Sequence, residues 1–300
     1  MVQGEPGKMT GVVKSAVKNV VVCADDFAVH APASLGIARL AAAGRISATS
    51  AMVLSPRWAQ DVALLQDLRN RIDVGLHLDW TSDFAMGAGH GLSLPAAMLK
   101  AVTGGFGRGA SLAVTRTVIE RQLDAFEARW KAPPDHVDGH QHVQQFAGIR
   151  EALVQVLARR YGANREQGGH SHTREHHGNG PYLRISRPPS GPADLKSRVM
   201  AAMGADALEK IAVHAKLARA EALLGIYDFS GDQAAYARRM AGWLSAAPAG
   251  SILMCHPAQA VEPGDTIGAA RAQEFAYLGS NDFSLALARA GVRLVRGRSL

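Results

Sequence analysis

The sequence predicts an α/β fold: a single domain built as a distorted (β/α) barrel, with parallel strands inside and helices outside. Three observations lead there. Short β-branched runs alternate with Ala- and Leu-rich amphipathic stretches along the chain, and a strand-then-helix order builds a parallel sheet covered by helices. Seven or eight such strand runs fall within about 280 residues, a count that favours a barrel over an open doubly wound sheet. No Rossmann or P-loop glycine fingerprint follows any of these runs.

Taken in order, residues 20–24 form a continuous apolar run that ends at Asp25 and Asp26, as a buried parallel strand does. A helical pattern over 34–43 follows, and Gly44 closes it. Residues 46–54 read as a strand, 58–68 as a helix and 72–80 as a strand. A polar, Gly-rich excursion then runs from about 81 to 109. The helix over 111–130 is rich in Arg and Glu, with apolar residues at Val114, Val118, Leu123 and Phe126, and Pro133-Pro134 stops it. A strand over 136–143 and a helix over 148–160 come next. The later strands are 182–186, 224–229, 252–255 and 292–295, with helices between them, notably 233–246 and 281–290.

Composition narrows the function. The chain has 300 residues, 47% hydrophobic and 20% charged, which is ordinary globular material. Lys plus Arg number 33 against 26 for Asp plus Glu, a net charge of +7. The positive charge is scattered over Arg116, Arg121, Arg129, Arg159, Arg160, Arg238 and Arg239, on stretches that read as exposed helix faces. No array of interleaved aromatic and basic residues is present, so nucleic acid is not an expected partner. Cys23 and Cys255 belong to no CxxC pair and sit in apolar runs, as small buried hydrophobes of a reducing compartment do. No run reaches the ~18–20 apolar residues of a membrane span, and no signal-like apolar segment opens the chain. The expectation is a cytoplasmic protein with a flexible stretch over 1–17 and one domain over 18–300. Residues 165–180 hold His170, His172, His176 and His177 in a polar setting, and read as a flexible His-rich surface loop.

Four short segments carry the chemistry, each at the C-terminal end of an expected strand, the edge where barrel active sites lie. The first is Ala24-Asp25-Asp26-Phe27. Adjacent carboxylates repel unless a cation or proton sits near them, and one must turn at the strand end for both to reach one site; on its own such a pair is also a common cap or turn former. The second is Gly75-Leu76-His77-Leu78-Asp79, where His77 suits packing and ligation equally. In the third, His136-Val137-Asp138-Gly139-His140-Gln141-His142, a period of two sends three imidazoles and a carboxylate to one face, and burying them calls for a partner such as a divalent cation. The fourth, Met254-Cys255-His256-Pro257, adds an imidazole at the same edge. Together they offer Asp, His and His from separate strand ends, a set suited to Zn, Mn or Fe with open positions, while Mg prefers more oxygen ligands. A spare Asp and a spare His remain for proton transfer. His142 and Arg184 are placed to position substrate or orient a neighbour, Asp138 to support a ligand, and Trp80 to stack on a sugar ring or to pack at the rim.

In this order and spacing, ADDF, GLHL, DGHQH and CHP resemble the landmarks of the YdjC/ChbG-type carbohydrate deacetylases, the hopanoid-associated branch of that family included. The resemblance runs from about residue 20 to 297. It implies a distorted (β/α) barrel, one divalent metal ion (Mg or Zn), and hydrolytic removal of acetyl groups from an N-acetylated carbohydrate or glycolipid. By the same likeness Asp26, His77 and His140 are the metal ligands, Asp25 the catalytic base and His256 the general acid. Two positions depart from the family pattern: Ala28 stands where a Gly usually follows ADDF, and Gln144 where a further histidine often follows HxH. A homodimer is an open expectation. The alternatives are a metal-dependent phosphodiesterase, for which few carboxylates beyond Asp25, Asp26 and Asp79 are at hand, and a non-catalytic carbohydrate- or metal-binding relative.

Overall fold

In a computed structural model, which describes residues 17–162, 180–190 and 195–299, the first apolar run is the strand about which the sheet is organised. β1 (Lys18–Phe27) is buried from Val20 onward. Around it lie β2 (Ala48–Ala51), β3 (Asp73–Leu78), β4 (His136–Gly139), β5 (Tyr182–Leu183), β6 (Leu223–Leu224), β7 (Ser251–Cys255) and β8 (Val292–Leu294). Every pairing is parallel, in the order β5-β4-β3-β2-β1-β7-β6. Val20 O accepts from Val295 N, and Val22 O accepts from Ser47 N. β8 and β2 therefore share one edge of β1, while β7 takes the other. The two ends of the sheet meet through an isolated bridge, Leu183 to Arg219, and a 2.7 Å bond from Leu223 N to Arg187 O. The ring closes on these few contacts, and the barrel is distorted as expected. The N-terminal segment and the His-rich loop, apart from Val17 and Gly180, lie outside the described residues.

The helices are α1 (Ala31–Ala42), α2 (Trp58–Asp61), α3 (Asp83–Gly87), α4 (Leu94–Val102), α5 (Gly109–Trp130), α6 (Ile149–Tyr161), α7 (Leu195–Ala202), α8 (Ala205–His214), α9 (Gln233–Ala246), α10 (Gly268–Gly279) and α11 (Asn281–Arg289). The 3₁₀ turn Val62–Leu68 extends α2. The excursion over 81–109 is not irregular: Ser82 caps α3 by accepting from Phe84 N and Ala85 N, and Pro95 sits in the first turn of α4, where its missing N–H costs nothing. α5 ends where Lys131 turns left-handed at φ 60°, just ahead of the proline pair.

Alternation along the strands divides the core. Val20, Val22 and Ala24 join Ile37, Leu40 and Phe126 in the layer under the helices. Val21 and Cys23 point the other way, into a smaller cluster with Tyr182, Leu223, Ile252 and Met254 that fills the ring. Burying each large apolar side chain contributes roughly 1.5–3 kcal/mol. The ring is tight: a Cβ on Gly75 would sit 2.4 Å from the His136 ring, so that strand position takes only glycine. Asp25, His77 and Asp138 continue the same inward period, and the polar layer they make sits on this apolar plug.

Candidate active site

Two adjacent carboxylates reach one place because β1 breaks its own register. Its pairing with β2 slips between Ala24 and Phe27, and Asp26 takes φ 64° and Ala28 φ 72°. Such a bulge re-aims side chains at a strand end. Asp25 stays on the inward period, and Asp26 is turned toward β3 and β4.

β3 contributes His77. Its Nδ1 lies 2.6 Å from Asp138 Oδ1 and 3.1 Å from Ser50 Oγ, and its Nε2 lies 3.3 Å from Asp26 Oδ1. β4 ends at Gly139 rather than continuing to 143, because Gln141 and His142 adopt φ 51° and φ 60° in a 3₁₀ turn. The period of two therefore stops early, and the four residues expected on one face divide. His136 stays inside the ring, stacked on Tyr182 at 5.1 Å. Asp138 holds His77. His140 swings to Asp26, with Nδ1 3.1 Å from Oδ1. His142 is buried with its Nδ1 3.0 Å from Ser186 Oγ.

Asp26, His77 and His140 thus bring ligand atoms to within 4.8 Å of one another. With Asp138 committed to the Nδ1 side of His77, Nε2 is the nitrogen presented to the group, the arrangement by which a carboxylate fixes a ligating imidazole. Asp25, Asp26 and Asp138 set three carboxylates against the guanidiniums of Arg184 and Arg271; against burial, Asp138 and then Asp26 pull the His77 ring up to about 10, so the carboxylates favour a positive charge at this place, which a cation would supply. This donor set fits a divalent metal. Among the described residues two other groupings are within reach of each other but fit less well. Asp25 and Asp138 are both bound by Arg184. Cys23 faces His136 Nε2 at 3.6 Å, but burial, then Asp25 and Asp138, push its thiol well above the usual range, away from the thiolate a metal needs.

Asp25 is gripped by Arg184 through two bonds, 2.6 Å to Oδ1 and 2.8 Å to Oδ2. Burial opposes its charge, but Arg184 outweighs that and the carboxyl is lowered. Asp26 is held well below the usual carboxylate range against burial, by Arg271 first and then His140. His256, at the end of β7, places Nε2 3.9 Å from Asp25 Oδ2, too long for a hydrogen bond. Burial pushes its ring down to about 4, although Asp25 and Asp26 pull the other way. Burial and the nearby Arg184 push His142 down to about 3. Both imidazoles rest neutral. Trp80 is 2% exposed, edge-on to His90 and Phe106; packing is what its ring meets. Asp79 stands apart from the cluster, accepting from Thr81 N and Ser82 N at 3.0 Å.

Sequence reasoning missed the supports supplied by α10. Arg271 donates to Asp26 Oδ2 at 2.7 Å and to Asp265 Oδ2 at 2.7 Å. Glu274 accepts from His256 N and, at 2.6 Å, from the Tyr227 hydroxyl. The signal was present: Arg271, Glu274 and Leu278 recur at i, i+3 and i+7, so a cation and an anion share the stripe that faces the core.

The family model described as YdjC-like protein matches residues 19–289. No curated protein sequence matches the chain. Among solved structures, an Enterococcus faecalis protein provisionally described as a cellobiose-phosphate cleavage protein superposes with a TM-score of 0.65 at 19% identity, covering 95% of this chain and 99% of that one. An uncharacterised protein from Agrobacterium tumefaciens gives a TM-score of 0.51 at 12% identity, over 96% of this chain and 91% of its own. Both likenesses are likenesses of fold.

Proposed function

The chain belongs to the YdjC-like family, and from that premise we propose that it is a metal-dependent hydrolase that removes acetyl groups from an N-acetylated amino sugar, free or carried on a glycolipid. The observation that carries the reading is the convergence of Asp26, His77 and His140 beside an arginine-held Asp25 and the His256 ring.

Asp26, His77 and His140 would hold a divalent cation, which when bound would supply Lewis-acid chemistry, lowering the pKa of a water and polarising the acyl carbonyl. Asp25, ionised and fixed by the Arg184 fork, takes the proton of the attacking water at Oδ2, the oxygen that faces His256. His256 rests neutral, so it is not an acid at the outset. Once bound substrate draws Asp25 Oδ2 and His256 Nε2 from 3.9 Å into hydrogen-bond reach, the ring receives that proton and passes it to the departing nitrogen, which then leaves as an amine rather than as an amide anion. One proton enters from water and one leaves on the amine. Each such role is worth ~10²–10⁴-fold. Neutral His142, held at Nδ1 by Ser186, accepts a hydrogen bond from a substrate hydroxyl. Arg184 and Asp138 are positioning residues, acting through Asp25 and His77, and Trp80 supports the wall from behind. Two imidazoles and one carboxylate favour Zn over Mg.

The test pairs metal analysis with acetate release from N-acetylglucosamine oligomers. Asp26→Ala is expected to lose the metal. Asp25→Asn is expected to keep it and lose ~10²-fold or more in turnover. Full activity in Asp25→Asn ends the base assignment, and hydrolysis of a phosphodiester to an alcohol and a monoester without acetate release ends the deacetylase reading.

A further inference from the structure

Helix α4 is apolar on both faces. Ala97 and Ala101 are buried against the core. Pro95, Met98, Leu99 and Val102, spaced i, i+3, i+4 and i+7, form a stripe that faces outward, with Leu99 66% and Val102 86% exposed. A surface helix ordinarily gives such a stripe to the core and turns its charges to water; here Lys100 is the one charged residue of the helix. Met86 on α3 and Val114 near the start of α5 are exposed as well.

Along the segment that carries the stripe, residues 84–119, the charge has one sign. No Asp or Glu occurs between Asp83 and Glu120, whereas Lys100, Arg108 and Arg116 do. The Lys100 ammonium lies 4.7 Å from the Phe106 ring centroid, a cation held against an aromatic face. Glu151, across the cleft lined by Gly104, Gly107, Arg108 and Leu112, is engaged by Gly148 N and Arg150. A second copy docked through a two-fold axis would set this basic patch against itself, so charge speaks against a dimer here.

We propose that α4 docks the protein on an anionic lipid bilayer, with the Met98, Leu99 and Val102 stripe in the boundary between headgroups and acyl chains and Lys100 and Arg108 toward acidic headgroups. The placement has a consequence for access. Leu92 N donates to Trp80 O at 2.9 Å, and His90 Nε2 lies 3.2 Å from Asp79 O. These bonds tie the insert to the residues that directly follow β3, the strand that carries His77. α4, which begins at Leu94, is thereby anchored close to the end of the strand that carries His77.

The experiment is co-sedimentation of the full chain with vesicles of phosphatidylglycerol and, separately, of phosphatidylcholine. Binding is expected on the anionic vesicles, much weaker on the neutral ones, and falling as salt rises. The double variant Leu99→Ser, Val102→Ser, at exposed positions that leave the fold intact by circular dichroism, is expected to bind the anionic vesicles about tenfold more weakly or worse. No binding to phosphatidylglycerol, or equal binding by the double variant, overturns the proposal. So does a sedimentation velocity dimer that the double variant abolishes, which assigns the stripe to a second copy.

Discussion

Ala28 bears the cost of the turn that makes the site. Its φ of 72° is a left-handed conformation that a Cβ penalises by about 1–2 kcal/mol, and its N–H is committed to Ser34 Oγ at 3.1 Å. The resemblance led to the expectation of a glycine here, and the backbone gives a reason for one: the chain must reverse directly after Asp26, at φ 64°, to carry that carboxylate out of the strand's plane. Ala28→Gly relieves the strain at some cost in unfolded-state entropy, and a net gain of about 1 kcal/mol is expected in a urea titration. Lower stability in the variant would mean that the buried Cβ packs for more than its strain costs. Gln144, the other departure, is buried and keeps a structural role. Its Nε2 donates to Arg184 O at 3.2 Å and to Ser186 Oγ at 3.3 Å, next to the arginine that holds Asp25.

At the scale of elements, what the sequence made legible depended on whether the local period survived to the end of each segment. The runs at Asp25-Asp26, His77 and His256 end where apolar alternation ends, so their strand ends could be read directly. The DGHQH segment could not, because Gln141 and His142 leave the strand through left-handed φ values that no non-glycine sequence advertises, and His140 reached Asp26 by that turn rather than along a strand face. α10 was hidden for another reason: Arg271 and Glu274 look like surface charges until the strand ends they serve are known. Glu274 carries a testable signature of that burial. Burial raises its carboxyl from 4.5 to about 7, although Tyr227 and His256 N–H pull it down. Below the ordinary value both folded and unfolded chains hold the proton and nothing is lost. Between 4.5 and 7 the folded chain binds more protons than the unfolded one, so stability falls as pH rises, by about 3 kcal/mol in all. Glu274→Gln removes that fall: relative to wild type it should gain with pH and level off above about 7. Urea unfolding across this window measures it, and a difference that stays flat with pH would show that Glu274 is not buried in its neutral form.

For the whole molecule, the strand and helix order and the parallel sheet were legible because each unit repeats, but the closure was not, since it rests on the Leu183–Arg219 bridge and the Leu223–Arg187 bond in short segments with no period to read. A ring so lightly joined gains from anything that ties its members together at the top. Asp26 comes from β1, His77 from β3, and His140 from the turn after β4, while Arg271 on α10 fastens the same Asp26 from outside. A cation bound there links separate parts of the barrel and binds only the folded chain. By mass action it stabilises the fold by about 2.7 kcal/mol at a hundredfold excess over its dissociation constant, which for a chain of this size is a rise of several degrees in Tm. Zinc-loaded protein is therefore expected to melt several degrees above chelator-treated protein, and Asp26→Ala, whatever its own Tm, should show no response to zinc or chelator. If the wild type melts at one temperature with and without metal, the three ligands do not act as a clamp across the ring. If Asp26→Ala still responds, the stabilising ion sits elsewhere.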